Sequence, residues 1–374
     1  MRARLLPAVA AVAAALALSP FAAGAPSAYD DELARLDRET AAAGPDRLVH
    51  LLFARASLTA DFADLGRAEE AIEREIGRAA GASAEELLLF RATLHVQLHR
   101  LSAAEDDLAR LTRLAGSPQA RLLAADLALQ RGRYAEARRS FEELAEERRT
   151  WDRLARLAYL ERRTGRAGRA DALYAEAQEG LTAKEMRAFA WLELQRGLID
   201  LDRGRHRRAL AHYRRAERAY SGHWLIDEHV AEALALLGRT EEAAALYQRV
   251  IERTGNPEYL SALASLVAGS DPAAAAALEA RADALFAERF RRFPEAAIGH
   301  YVEHLVERTE APPELLALAE RNHELRPNAE SKLLLARACA RLGQRERARE
   351  LLAEIAATPW RSPALRVLAR RLAR

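Results

Sequence analysis

Apolar and charged positions follow one another along this chain in a helical rhythm, shown most plainly by Leu122–Glu147, LLAADLALQRGRYAEARRSFEELAEE. Leu123, Leu127 and Leu129, with Ala124, Ala125 and Ala128 between them, define one helix. Tyr134, Ala137, Phe141, Leu144 and Ala145 define a second, again at helical spacing. Gly132 stands between them, where backbone freedom lets one helix end and an antiparallel neighbour begin. No stretch shows the period-two alternation of a strand. The expected class is therefore all-α.

The same grammar recurs. Gly66, Gly132, Gly165, Gly204, Gly238 and Gly343 are each followed five residues later by alanine: Ala71, Ala137, Ala170, Ala209, Ala243 and Ala348. Nine residues after four of these glycines comes a large aromatic: Phe141, Tyr174, Tyr213 and Tyr247. A small side chain lets two helices cross closely, and a large one fills the groove toward the next pair. From Gly132 to Gly238 the glycines lie 33, 39 and 34 residues apart, the longer interval being absorbed in the polar joint Gln178–Arg187.

This pattern resembles the tetratricopeptide repeat, two helices in about 34 residues. The resemblance implies a right-handed α-solenoid of antiparallel helix pairs in which neighbours stack to bury a continuous core. The clear repeats run over about 119–253 and 330–358, with degenerate repeats over 46–114 and 258–328. Asp46–Asp64 and Arg67–Arg78 are expected to pair around Gly66; Ala84–Leu98 and Ala103–Leu114 pair around Ala104 with no glycine at the turn. A capping helix is expected over 363–374, making 29–374 one solenoid.

Residues 1–28 read differently. Arg2 and Arg4 precede an apolar run from Leu5 to Leu18, followed by Ala22, Ala23, Gly24 and Ala25. This is the pattern of a cleavable secretory signal peptide, with cleavage at Gly24–Ala25. The run is shorter than the roughly 20 residues of a spanning helix. The mature chain is thus expected to be exported, to the periplasm of a Gram-negative cell, without a transmembrane segment.

Losing Arg2 and Arg4 takes the 57 basic residues to 55, against 55 acidic ones, with both signs mixed along nearly every helix. A nucleic-acid binder would carry a basic stripe, so nucleic acid is not an expected partner. Cys339, the single cysteine, lies among Leu335, Ala338 and Leu342 and reads as a small buried hydrophobe. Trp151, Trp191, Trp224 and Trp360 read as packing residues between repeats.

One catalytic outline is present. His300, Glu303 and His304 match H-x-x-E-H, in which two histidines on one helical face bind metal and the glutamate acts as base. A metal-dependent hydrolase is therefore one alternative, with His300 and His304 the candidate metal pair; a self-assembling structural scaffold is another. His95 and His99 share the spacing, but His95 falls at an inward packing position. No glycine-rich phosphate loop, GxSxG or multi-cysteine site is present, and no cofactor is expected.

The resemblance implies a protein or peptide partner on the concave face, lined by the first helix of each pair. Aligning on the glycines places Asp126, Gln130, Tyr159, Arg162, Arg163, Leu194, Leu198, Asp202, Glu228 and Glu232 there, and further along His300, His304 and Arg337.

Overall fold

The computed structural model describes residues 27–79, 82–308 and 310–373, so all but the last two residues of the proposed signal peptide, 1–26, lie outside the described residues. They form two compact units, neither contiguous in sequence. The first comprises the N-terminal stretch through Glu32 together with Asp171–Glu288; the second comprises Leu33–Ala170 together with Arg289–Arg374. The described secondary structure is entirely helical.

Early in the sequence come α1 (Ala28–Ala42), α2 (Pro45–Thr59), α3 (Phe62–Ile76), α4 (Ala82–Gln97) and α5 (Leu101–Ala109). Then follow α6 (Pro118–Gln130), α7 (Tyr134–Glu147), α8 (Trp151–Arg163) and α9 (Ala167–Glu179). The next are α10 (Met186–Asp202), α11 (His206–Ala219), α12 (Trp224–Leu236), α13 (Thr240–Thr254), α14 (Pro257–Val267) and α15 (Pro272–Arg292). The chain closes with α16 (Pro294–Glu307), α17 (Leu315–Leu325), α18 (Ala329–Arg341), α19 (Arg345–Ala357) and α20 (Pro363–Leu372).

The small-then-large register is the core of these pairs. Ala137, Ala170, Ala209, Ala243 and Ala348 are fully buried, as are Phe141, Tyr174 and Tyr213, while Tyr247 is nearly so. Gly132 shows the turn chemistry: its φ is +74°, and the next amide, Arg133 N, donates to Ala128 O at 2.8 Å. That bond ties the helix end to the residue five positions back, a closure that needs the left-handed residue between. Cys339 is buried, as its apolar neighbours in the sequence imply.

Two early turns depart from the sequence reading. Gly66 does not make the turn of its pair; it lies inside α3. Ala60, at φ +53°, takes the left-handed position, its amide donating to Ala56 O, and Asp61 caps α3 through Ala63 N. Between α4 and α5 the left-handed residue is His99, φ +59°, and Arg100 N donates to His95 O at 2.8 Å. His99 thus holds the glycine's place, five residues before the buried Ala104. Polar side chains tolerate this conformation better than bulky apolar ones.

The second unit adds contacts that nearest-neighbour stacking does not supply. The turns of its N-terminal pairs meet the junctions between its C-terminal pairs. Phe62 packs on Phe293, with ring centroids 5.5 Å apart, and Ala296 joins the core built by α2, α3 and α4. Arg326 donates to His99 Nε2 at 3.1 Å. Asn328 Nδ2 donates to Gln130 O at 2.9 Å, and Ala329 N donates to Tyr134 OH at 2.8 Å. Arg361 N donates to Arg163 O at 2.8 Å. Tyr134 consequently belongs to the same core as Leu333, Leu335 and Trp360.

Candidate functional site

Buried carboxylates knit the pairs together before any surface is presented. Glu161 on α8 is fully buried and bonded by Arg138 and Arg166. Asp107 on α5 receives Arg91 at 2.5 Å and His95 Nδ1 at 3.0 Å, while Glu69 stands 3.5 Å from His95 Nε2. Burial works against charge on His95, but the two carboxylates more than offset it and raise its pKa to about 9. His95 is thus an internal ion-pair member, in keeping with its inward position. In the first unit Glu193 on α10 gathers His212 Nδ1 at 2.7 Å, Arg215 at 2.9 Å and Gln178 at 2.8 Å. Part of the mixed charge read from the sequence is therefore internal wiring.

The residues expected on the binding face fall into two sets, one in each unit. In the second unit, Asp126 on α6 pairs with Arg156 Nε at 2.9 Å, yet burial raises its carboxyl pKa above the usual range. The carbonyl of Gln130 is taken by Asn328. Arg163 on α8 donates to Tyr159 OH at 3.0 Å and to Glu330 at 3.1 Å. Its guanidinium also lies over Tyr159 at 5.1 Å and over Trp360 at 4.8 Å from the ring centroids. Arg163 is a contact to the chain's own C-terminal helices, which corrects its placement on an open face. The neighbouring Arg162 is half-buried.

On α16, His300 is exposed whereas His304 is 7% exposed. Glu303 accepts from Arg337 at 3.3 Å, and Glu307 receives the same guanidinium. One imidazole therefore faces solvent and the other belongs to the interior. That withdraws His304 from a partner surface, and it leaves the motif's glutamate engaged by an arginine.

In the first unit, Leu194 on α10 is 2% exposed and is core, a second correction. Leu198 and Asp202, one and two turns along the same helix, are half-buried. On α12, Glu228 and Glu232 flank His229, whose Nδ1 stands 2.8 Å from Glu228 and 3.8 Å from Glu232. The imidazole stacks on the Tyr213 ring, centroids 5.3 Å apart and planes 22° from parallel. Burial opposes its charge, but Glu228 and then Glu232 outweigh burial and raise its pKa to about 10. Next to it, burial pushes Asp227 up to about 6. This patch is a half-desolvated, net acidic surface on a rigid ring platform.

His229 and Gly197, both packed against Tyr213, are residues that the sequence reading misses. Gly197 lies within α10, and a Cβ there would stand 2.7 Å from Cδ1 and 2.9 Å from Cζ of Tyr213. The signal is available: a glycine in the middle of an otherwise unbroken helix marks a close approach.

Residues 194–257 match the tetratricopeptide repeat model, and residues 118–224 match a model described as the TT21 fifth ARM repeats domain. A tetratricopeptide protein of Thermus thermophilus is 24% identical, covering 49% of this chain and 99% of its own, with TM-score 0.43. The Cut9–Hcn1 hetero-tetramer of the APC/C is 13% identical, with TM-score 0.50, covering 92% of this chain and 60% of that one. A tetratricopeptide protein of Parabacteroides merdae is 15% identical, covering 78% and 99%, with TM-score 0.38. No functionally curated protein sequence matches. The fold is all-α and tetratricopeptide-like, and residues 194–257 match the repeat model itself.

Proposed function

We propose that this protein is an exported, non-catalytic scaffold that binds another protein or a peptide through the first helices of its repeats, with α10 and α12 of the first unit making the contact. The observation that carries this reading is the Glu228–His229–Glu232 patch. Its carboxylates are held half out of water against a charged imidazole, which is itself held by Tyr213. Leu198 and Asp202 on α10, which packs against α12, add an apolar step and a further carboxylate. Such a surface suits a segment with a cation beside an apolar side chain: charge sets register and apolar burial contributes affinity. Helical-repeat folds generally bind partners on preformed extended surfaces. No helix among the described residues is long and apolar enough to cross a membrane. The leader pattern at residues 1–28 supports export, with the periplasm as the expected compartment.

The test is cross-linked capture from the native envelope with wild type and with Glu228→Gln combined with Glu232→Gln. Partners recovered by wild type should be lost from the double variant while its helical circular-dichroism signal is retained. Recovery of every partner by a folded double variant would place the binding surface elsewhere.

A further inference from the structure

The junction between α11 and α12 carries a second surface, and the structure shows what fits it. Tyr220 and His223 flank this junction, Arg187 reaches it from α10 and Arg253 from α13. Lying on it is the segment Ser27–Glu32, which no repeat pattern accounts for. Its main chain is gripped first: Ala28 N donates to Ser221 Oγ at 3.2 Å, and Tyr29 N donates to Ser221 O at 3.1 Å. The Tyr29 ring meets His223 edge-on at 5.4 Å and lies under the Arg253 guanidinium at 5.0 Å. Asp30 pairs with Arg253 at 3.3 Å. Glu32 pairs with Arg187 at 2.8 Å and accepts from Tyr220 OH. A side chain at Gly222, φ +76°, would run into Ser27.

We propose that Arg187, Tyr220, Ser221, His223 and Arg253 form a recognition site for an aromatic residue followed by acidic residues, a site filled here by the chain's own Ser27–Glu32. Three features of the segment are read separately: the first two amides of α1, a ring between an imidazole and a guanidinium, and two carboxylates on two arginines. Cation–π contact and charge-assisted bonds both favour an aromatic–acidic peptide over a basic or purely apolar one. Burial together with the two arginines lowers the His223 pKa to about 4, so this imidazole stays neutral beside the ring. The segment bound in cis competes at high effective concentration, and a peptide in trans binds only in proportion to the vacant fraction. This surface uses none of Leu198, Asp202, Glu228 or Glu232, so either reading can fail without the other.

The experiment uses the full chain carrying Tyr29→Ala, Asp30→Asn and Glu32→Gln, which frees the segment and leaves α1 in place. The probe is the fluorescein-labelled hexapeptide Ser-Ala-Tyr-Asp-Asp-Glu, read by fluorescence anisotropy. The triple variant should bind it at least about tenfold more tightly than wild type, and adding Arg253→Ala should remove that gain. Equal binding by wild type and triple variant, or no binding by a triple variant with wild-type circular dichroism, overturns the proposal. If the triple variant does not fold, hydrogen exchange of Ala28 and Tyr29 in wild type and in Arg253→Ala decides the matter. Exchange at least about tenfold faster in Arg253→Ala supports the site, and unchanged protection overturns it.

Discussion

The ring of Tyr213 occupies the space that a side chain on Gly197 would need. The two residues sit on α10 and α11, where Ala209 is fully buried at the crossing. Gly197→Ala gains helix propensity, worth up to about 1 kcal/mol, but forces the ring aside at an overpacking cost of about 1–3 kcal/mol. The melting temperature should fall. Gly168→Ala, whose added Cβ meets nothing within 4 Å, should show no such loss, and a thermal melt of both variants checks the pair.

His229 should give the first unit a stability that depends on pH. Its folded pKa of about 10 lies above the ordinary 6.5, so the folded state keeps a proton that the unfolded chain releases between those values. The stabilisation is full below pH 6.5 and is lost as pH rises through 10. His229→Gln should therefore lower the melting temperature more at pH 6.5 than at pH 10.5, by a difference of at least about 1 kcal/mol in stability. Parallel pH series by calorimetry measure it.

Arg163→Ala should destabilise the second unit by about 1–2 kcal/mol, since it removes two ring contacts and the pairing with Glu330. Arg163→Lys should restore only part, because an ammonium cannot reproduce a planar contact with two rings. Urea unfolding of the three proteins gives the order.

The H-x-x-E-H outline on α16 makes a separate prediction. His304→Ala should lower stability by about 1–3 kcal/mol because a buried ring is removed. Exposed His300 should tolerate alanine, and neither variant should change zinc content. Elemental analysis with melting curves checks both; zinc lost on either substitution would revive the hydrolase alternative.

N-terminal sequencing of envelope material should find the mature chain beginning between Ala25 and Ser27. The leader pattern allows cleavage as late as Tyr29, but Ser27 caps α1 by accepting from Asp30 N at 3.2 Å. Loss of Ser27 would remove that cap.

The repeat register was legible because crossing and groove-filling positions recur at fixed offsets from the turn. Ala137 with Phe141 and Ala209 with Tyr213 follow from spacing alone. The rule failed where it was read as chemistry: Gly66 keeps the five-residue offset to Ala71 yet lies within α3. It also missed His99, because a polar residue in the left-handed region leaves no glycine to find. On α12, helical periodicity singled out Glu228 and Glu232 but not His229, the imidazole beside both of them. Leu194 and Arg163 were misplaced for a different reason: what covers them comes from other helices, and for Arg163 these lie far along the sequence.

Tyr134 and Ala329 are bonded across 195 residues. At about 5–20 residues per second of synthesis, roughly 10 to 40 s separate the emergence of the two. During that interval the edge formed by His99, Gly132 and Arg163 has no counterpart yet made. The N-terminal helices are therefore born as one half of a unit whose other half arrives last. A nascent chain arrested near Leu315 would release an incomplete unit with its turn edge bare, a ready substrate for proteases and chaperones.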